Sequence, residues 1–212
     1  MMKKRFVFLA LLLLLSGCSS PHTEAEIYLE EKYGENFTFQ KITGGGWDSS
    51  TKYIFTSDSH PEDGITVRHI AEGVYRDNYA GIKYRERTEQ LLRSILTECY
   101  GEDFFLIYVV NGMDTAFGAT FEEYKKKVTM DFTAIVRYPL QDREEAVKKL
   151  EIAMTREFGQ GSATIYFDED IDLSFLTMDN YSASYLEKKT YDGRLHVFMS
   201  DPNEGFTTIK WN

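Results

Sequence analysis

Ser49 and Lys52 form the first pair in this chain whose spacing supports catalysis. In a Ser-x-x-Lys segment the lysine amine can assist the serine hydroxyl as a nucleophile in acyl transfer, if a helix places both on one face. Here the segment follows a glycine-rich turn and enters an apolar stretch typical of a strand. The companion motifs Ser-Asp-Asn and Lys-Thr-Gly are also missing from the sequence. The pattern therefore disfavours an acyl-enzyme, and no catalytic residue is predicted.

Trp47 follows three consecutive glycines at positions 44–46. A glycine-rich loop can cradle phosphate, but this one lacks the Gly-Lys-Ser/Thr ending that supplies the lysine and the magnesium ligand. The pattern instead predicts a hairpin tip that carries an aromatic side chain. Trp47 is therefore a candidate binding residue, because tryptophan is enriched at interaction hot spots.

Four aspartates follow positions one, three, five and twelve of a calcium-binding loop. They are Asp168, Asp170, Asp172 and Asp179. Position six is Leu173 where such a loop needs glycine, and position twelve lacks the usual glutamate. The segment is a weak calcium candidate, with a solvated acidic loop as the alternative. The four histidines lack the spacing of a zinc site, and no motif indicates a cofactor.

Three tyrosines lie close together near the middle of the chain, beside three arginines. They are Tyr75, Tyr79 and Tyr84, with Arg76, Arg85 and Arg87. Tyrosine and arginine are over-represented in interaction hot spots, so the tyrosines are a candidate binding surface. The alternative is the start of a helix whose rings pack on a sheet.

Hydrophobic periodicity predicts the elements that must position these residues. A Thr23–Glu26 capping box is expected to open the first of about three amphipathic helices; the second covers 84–99 and the third begins at Asp142. Each helix ends at an aromatic-Gly pair and precedes a strand, which indicates a degenerate helix-strand repeat. The alternative is that an aromatic-Gly pair is simply a good helix stop. Strands are predicted at 37–43, 52–56, 65–71, 104–110, 128–138, 163–167, 182–188, 195–199 and 206–211. The order predicts an α+β fold with antiparallel sheets.

The first eighteen residues have the three regions of an export signal. A basic head ends at Arg5, an apolar run extends from Phe6, and Leu15-Ser16-Gly17-Cys18 closes the segment. This ending resembles the lipobox of bacterial prolipoproteins. The resemblance implies that Cys18 receives a diacylglyceryl group, that the Gly17–Cys18 bond is cleaved, and that acyl chains such as palmitate anchor the protein to the membrane. An ordinary signal peptide or a short membrane helix is the alternative.

Removal of residues 1–17 changes the charge of the chain. The sequence has 24 Lys and Arg against 34 Asp and Glu, and the signal contains 3 of the cations, so 21 remain and the formal charge is −13. This balance argues against nucleic-acid binding and against a body lying flat on anionic lipid. With Cys18 lipidated, Cys99 has no partner for an intramolecular disulfide, and its spacing from Leu92 and Ile95 predicts a buried position.

The expected organisation is a signal at 1–17, a lipidated tether at 18–22 and an α+β body at 23–212. The body is either one domain or two packed lobes with a boundary near 80–100. Residues 28–34 (Tyr-Leu-Glu-Glu-Lys-Tyr-Gly) and Asp77-Asn78-Tyr79 resemble small, largely uncharacterised Gram-positive surface lipoproteins, and the element order is similar to cystatin-like and PepSY-type envelope domains. These resemblances imply no activity.

The expected function follows from this organisation. We expect a lipid-anchored protein on the extracytoplasmic face of the cell membrane that binds a protein, a peptide or a cell-wall component without catalysis. A small envelope hydrolase and a small-ligand carrier are the alternatives.

Overall fold

The computed structural model describes residues 20–44, 51–109, 120–138, 143–184, 186, 191–199 and 207–211. The chain divides into two compact units, Met1–Tyr75 and Arg76–Asn212. A four-stranded sheet belongs to the first unit, except for the last two residues of its final strand, and a five-stranded sheet belongs to the second. Helices accompany both sheets, so the predicted α+β class is confirmed. Among the described helices, none is both long and apolar enough to cross a membrane.

The first unit consists of one helix and an antiparallel meander. Its elements are α1 (Pro21–Tyr33), β1 (Phe37–Thr43), β2 (Lys52–Ser57), β3 (Ile65–Ala71) and β4 (Val74–Asp77), with sheet order β1-β2-β3-β4. Helix α1 begins at Pro21 and not at the predicted capping box, because proline is well suited to the first helical position. Thr23 therefore lies inside the first turn, where its hydroxyl bonds the Ser20 side chain at 2.8 Å. Gly34 ends the helix in the left-handed conformation, as the sequence predicts.

Alternation along the strands divides the small sheet into a core face and an outer face. Tyr53 and Phe55 of β2 and Val67 of β3 are buried, whereas the residues between them are half-buried. Rings from α1 and β1 pack over this core, and the His22 ring stacks on Phe39 at 4.3 Å. The core of the first unit therefore lies between α1 and one face of its sheet.

The second unit contains the five-stranded sheet and the longer helices. Its helices are α2 (Tyr79–Lys83), α3 (Arg85–Tyr100), α4 (Phe121–Lys127), α5 (Arg143–Glu157) and α6 (Tyr181–Ser184). Its strands are β5 (Phe104–Tyr108), β6 (Thr129–Val136), β7 (Gln160–Phe167), β8 (Gly193–Met199) and β9 (Thr207–Trp211), in sheet order β5-β6-β7-β8-β9. The predicted order of helix, glycine and strand is observed at α1–β1, α3–β5 and α5–β7.

One strand pair departs from the antiparallel prediction. Strands β6 and β7 are parallel, while the other neighbours in this sheet are antiparallel. Helix α5 lies between the two strands in sequence, and a helical crossover is how a chain returns to add a parallel strand. The five-stranded sheet is therefore mixed.

Two local predictions are also corrected. Residues 182–188 were expected to form a strand, but Tyr181–Ser184 is a short helix. The second helix was expected from residue 84, but helix begins at Tyr79 and is interrupted at Tyr84 before α3. At this start the N–H of Tyr79 donates to the buried Asp77 carboxylate at 2.9 Å.

Candidate binding surface

The five-stranded sheet has one apolar face and one face that is polar over half its length. Buried residues of β6 and β7 alternate with half-exposed ones, and the apolar face packs against helices, as the Tyr100–Phe167 ring contact at 5.8 Å shows. The other face carries carboxylate, hydroxyl and imidazole groups beside an exposed ring. We call this set the polar face: Asp131, Thr133, Ser162, Thr164, His196 and Phe198.

Strand register arranges the polar face in two rows. Thr133, Thr164 and His196 are cross-strand partners on β6, β7 and β8. Asp131 and Ser162 are partners in the next row, which ends at Phe198. Because partners in a sheet point to the same side, all six side chains lie on one surface.

Hydrogen bonds hold the polar groups in place. The Ser162 hydroxyl donates to the Asp131 carboxylate at 2.7 Å. Thr164 Oγ1 and His196 Nδ1 share a hydrogen bond of 3.1 Å. A nucleophilic serine requires a base at its hydroxyl, commonly an imidazole, and here the imidazole is bonded to a threonine instead. The arrangement suits hydrogen bonding to a ligand better than acyl transfer.

An apolar cluster covers the other half of the same face. Ile107, Ile135, Tyr166, Ile171 and Leu176 are buried together there. The Arg137 guanidinium fixes the covering segment by donating to the Ile171 carbonyl at 2.6 and 3.0 Å. The polar face is therefore the half of this surface that stays in contact with solvent, and it lies next to the apolar cluster.

The predicted tyrosine surface is wrong for two of its three members. Tyr79 and Tyr84 are buried in the second unit. Tyr84 packs against Phe121 and Tyr124 of α4, with ring centroids 5.6 and 5.2 Å away. The helix-entry alternative is correct here, because the apolar rings gain more from burial than from exposure.

Tyr75 remains partly exposed in the first unit. Its hydroxyl donates to the Glu24 carboxylate at 3.0 Å, and its ring lies 5.1 Å from that of His69 and 5.4 Å from that of Tyr28. Burial raises the pKa of Tyr75 to about 12, and the bond to Glu24 adds to the shift. The phenol therefore stays neutral and joins α1 to the end of the sheet.

A largely buried ion pair joins α4 to α5. Lys125 Nζ lies 2.7 Å from Glu157 and 2.8 Å from Glu122, but Glu157 is 17% exposed and Glu122 is 71% exposed. The bond from Lys125 lowers the pKa of the Glu157 carboxyl, against the raising effect of burial. A lowered pKa means stability that is present above the unfolded pKa and lost as the pH falls through the folded pKa.

Glu157→Gln should therefore lower the free energy of unfolding at neutral pH by about 1–3 kcal/mol, because it removes a buried charged hydrogen bond. Glu122→Gln should cost less than about 0.5 kcal/mol, since its pair is solvent-screened. Denaturant unfolding at neutral pH and at about pH 4 measures both, and the difference between Glu157→Gln and wild type should shrink at the lower pH. Equal losses from the two variants would contradict the assignment.

Two of the four aspartates of the calcium candidate, Asp168 and Asp172, accept hydrogen bonds within local turns. Asp168 accepts the N–H of Asp170, and Asp172 accepts both the N–H and the hydroxyl of Ser174. The Ser174 bonds lower the pKa of the Asp172 carboxyl. In the described part of the chain, no three His, Cys, Asp or Glu side chains are arranged to hold a metal ion.

The other predicted residues divide between buried and undescribed positions. Cys99 is buried in α3, as predicted, and burial raises the pKa of its thiol to about 12. Lys52 lies on β2, but its predicted partner Ser49 lies outside the described residues. Gly17, Cys18 and Trp47 also lie outside them.

Sequence reasoning missed the polar face as a set. The alternation at 128–136 does predict one polar face for this strand, and His196 was assigned to a strand. Nothing in either segment indicates that β7 lies between them, parallel to β6. The sequence pattern therefore predicts each strand separately, but it does not predict how the strands are arranged in the sheet.

Comparisons with known proteins give a structural similarity. No family model matches the chain, and no curated protein matches it. The chain is similar to a crystal structure of a DUF5037 family protein from Ruminococcus gnavus ATCC 29149, at 13% identity and a TM-score of 0.40. The match covers 87% of this chain and 93% of the other.

Proposed function

We propose that this chain is a lipid-anchored protein of the cell envelope whose folded body binds a cell-wall component without catalysis. In this proposal Cys18 carries the lipid, and the body acts on the extracytoplasmic face of the membrane. The polar face is the observation that supports the binding role. The export signal and the lipobox-like ending support the anchor.

The chemistry of the polar face favours a polyhydroxylated ligand. Asp131, Ser162 and His196 offer donors and acceptors on a rigid sheet, and sugar hydroxyls can pair with all of them. Phe198, which is 38% exposed, lies on the same face and gives an apolar surface for the C–H face of a sugar ring. Protein interfaces, in contrast, have cores rich in aromatic residues, Met and Arg. We therefore favour a glycan strand over a protein partner.

The negative charge of the mature chain further restricts which class of glycan it can bind. With 34 acidic residues in the sequence, the mature body repels anionic polymers at low and moderate salt. An uncharged or zwitterionic wall glycan avoids this repulsion. The polar face then discriminates by hydrogen bonding and not by net charge.

Sedimentation with purified wall sacculi tests the proposal. The lipoprotein is extracted from membranes in mild detergent, mixed with protein-free sacculi and centrifuged. Wild type should pellet, and the double variant Asp131→Asn/His196→Ala should bind about tenfold more weakly, since it loses hydrogen bonds together worth about 1.4 kcal/mol. Ile152→Ser, an exposed change on α5, is the matched control and should pellet like wild type.

The outcomes separate the ligand classes. Wild type that stays in the supernatant would reject the wall ligand. Pelleting that is equal for wild type and the double variant would reject the polar face as the site. If the sacculi fail but crosslinking in cells captures one protein through the polar face, the ligand is a protein instead.

A further inference from the structure

One arginine lies beside the polar face with a donor group that has no acceptor. Arg194 is on β8, two residues before His196 on the same side of the strand, and it is the cross-strand partner of Tyr166 on β7. Its Nε atom is buried, and no acceptor within the described residues reaches it. Buried donors are nearly always paired in folded proteins, so an unpaired one calls for an acceptor from outside the fold.

The acids that follow β7 and precede β8 are bound to backbone groups. Asp192, two residues before Arg194, accepts the N–H of Glu169 at 3.0 Å. Asp168, at the end of β7, accepts the N–H of Asp170 at 3.0 Å. None of the ion pairs in the described part of the chain includes Arg194. A ligand would therefore meet an unpaired guanidinium here, although the surrounding surface is not positive overall.

An aromatic ring supports this guanidinium. The Cζ atom of Arg194 lies 5.5 Å from the centroid of the Tyr166 ring, which in turn lies 4.8 Å from the ring of Tyr191. Burial raises the pKa of Tyr166, so its phenol stays neutral and is not a counter-ion for the arginine. A guanidinium placed over a ring remains planar and rigid, and it can donate two parallel hydrogen bonds to a carboxylate.

Arg194 lies where the apolar cluster meets the polar face. Ile135 and Tyr166, which share its row of the sheet, are buried in the cluster. His196, in the next row, is half-buried, and Phe198 beyond it is exposed. Residues two apart on a strand are about 7 Å apart, so one ligand can contact Arg194 and the polar face together. An ion pair beside apolar groups is also screened less by water than a pair on an open surface.

We infer that Arg194 binds a carboxylate group of the wall ligand. This inference rests on the proposed function, in which the polar face binds sugar hydroxyls. Two N–H groups of the guanidinium donate to the two carboxylate oxygens, while His196 and Phe198 contact the sugar next to that group. The acidic body still repels a polymer of many carboxylates, but it tolerates one carboxylate on a ligand that also carries positive charge. A zwitterionic glycan therefore fits this surface better than an uncharged one.

Blocking the carboxylates of the wall tests the inference. Protein-free sacculi are used untreated or after conversion of their carboxylates to methylamides, and the detergent-extracted lipoprotein is titrated against each by sedimentation. Wild type should bind the blocked sacculi about tenfold more weakly, since it loses a charge-assisted pair of hydrogen bonds. General repulsion predicts the opposite, because blocking removes negative charge from the wall. This comparison uses the wild-type protein and needs no variant.

The variant Arg194→Gln identifies the residue that recognises the carboxylate. It should bind untreated sacculi about tenfold more weakly than wild type does, and it should no longer distinguish them from blocked sacculi. Lys148→Gln removes one exposed cation from α5 and should behave like wild type with both preparations. If Arg194→Gln still distinguishes the two preparations as strongly as wild type does, the inference is wrong.

The remaining outcomes separate this inference from the proposed function. Wild type that binds neither preparation rejects the wall ligand itself, whereas equal binding to both rejects only the carboxylate contact. Competition with soluble wall fragments identifies the source of the carboxylate. Peptide-free glycan strands that compete place it on a sugar, and free wall peptides that compete place it on a peptide attached to the glycan. Competition by neither fragment would overturn the inference.

Discussion

Replacing Gly161 with alanine should lower the thermal midpoint of the Arg76–Asn212 unit by roughly 10 °C, which corresponds to a loss of about 3 kcal/mol in this size range. Gly161 is the second residue of β7, opposite Met130 of the parallel strand β6. Its φ of +144° is a conformation that residues with a side chain rarely adopt. A Cβ there would also overlap the Met130 backbone, which cannot move without breaking the strand pair. The backbone strain and the steric overlap with Met130 therefore both contribute to the loss of stability.

Gly101→Ala is the matched control for this prediction. Gly101 also has a positive φ, of +82°, in the same unit, but an added Cβ would meet nothing within 4 Å. We expect it to cost about 1–2 kcal/mol, which is the strain without the overlap. Circular dichroism during heating measures both variants. Equal midpoints for the two variants would show that the close approach to Met130 does not limit stability.

The neighbouring glycine shows what the sequence could predict and what it could not. Gly159 was interpreted as a helix stop, like Gly34 and Gly101, and α5 does end just before it. Unlike those two, Gly159 is not among the glycines with positive φ. An added Cβ would instead overlap the Lys126 carbonyl. The stop was predictable from local pattern, but the close approach of two segments 33 residues apart was not.

The same limit explains the polar face. Period-two alternation predicts most of the strands, and the strands predicted at 37–43 and 65–71 agree with the structure to the residue. Alternation says which residues of one strand share a side, but it does not say which strand lies next. Thr164 and His196 are neighbours only because β8 pairs with β7. Sheet order is set by packing over the whole unit and has no local signature.

The tyrosines near residue 80 show why composition alone misled. Tyr and Arg in one segment suggested an exposed surface as one of two alternatives, but Tyr79 and Tyr84 are buried. The Arg87 guanidinium lies over the Phe121 ring at 4.3 Å, so the arginine covers the cluster and does not present it to a partner. Burial of a ring depends on what packs over it, and α4 was not predicted from the sequence.

Cys18→Ala should abolish the anchor completely, and this is the largest functional effect that we expect. The thiol is the only group of this side chain that can accept a diacylglyceryl group, so alanine leaves no site for the lipid. Without lipid the signal peptide should also remain uncleaved, because cleavage before Cys18 follows lipidation in the proteins that the lipobox resembles. Cys99→Ala is the control, since that thiol is buried and its raised pKa keeps it unreactive.

Metabolic labelling with radioactive palmitate tests the central proposal most directly. Cells that express wild type, Cys18→Ala or Cys99→Ala are labelled, and the protein is immunoprecipitated and compared in size. We predict label in wild type and in Cys99→Ala, and an unlabelled, larger precursor in Cys18→Ala. Label that persists in Cys18→Ala, or wild type that takes up none, would contradict the proposal of a lipid-anchored protein.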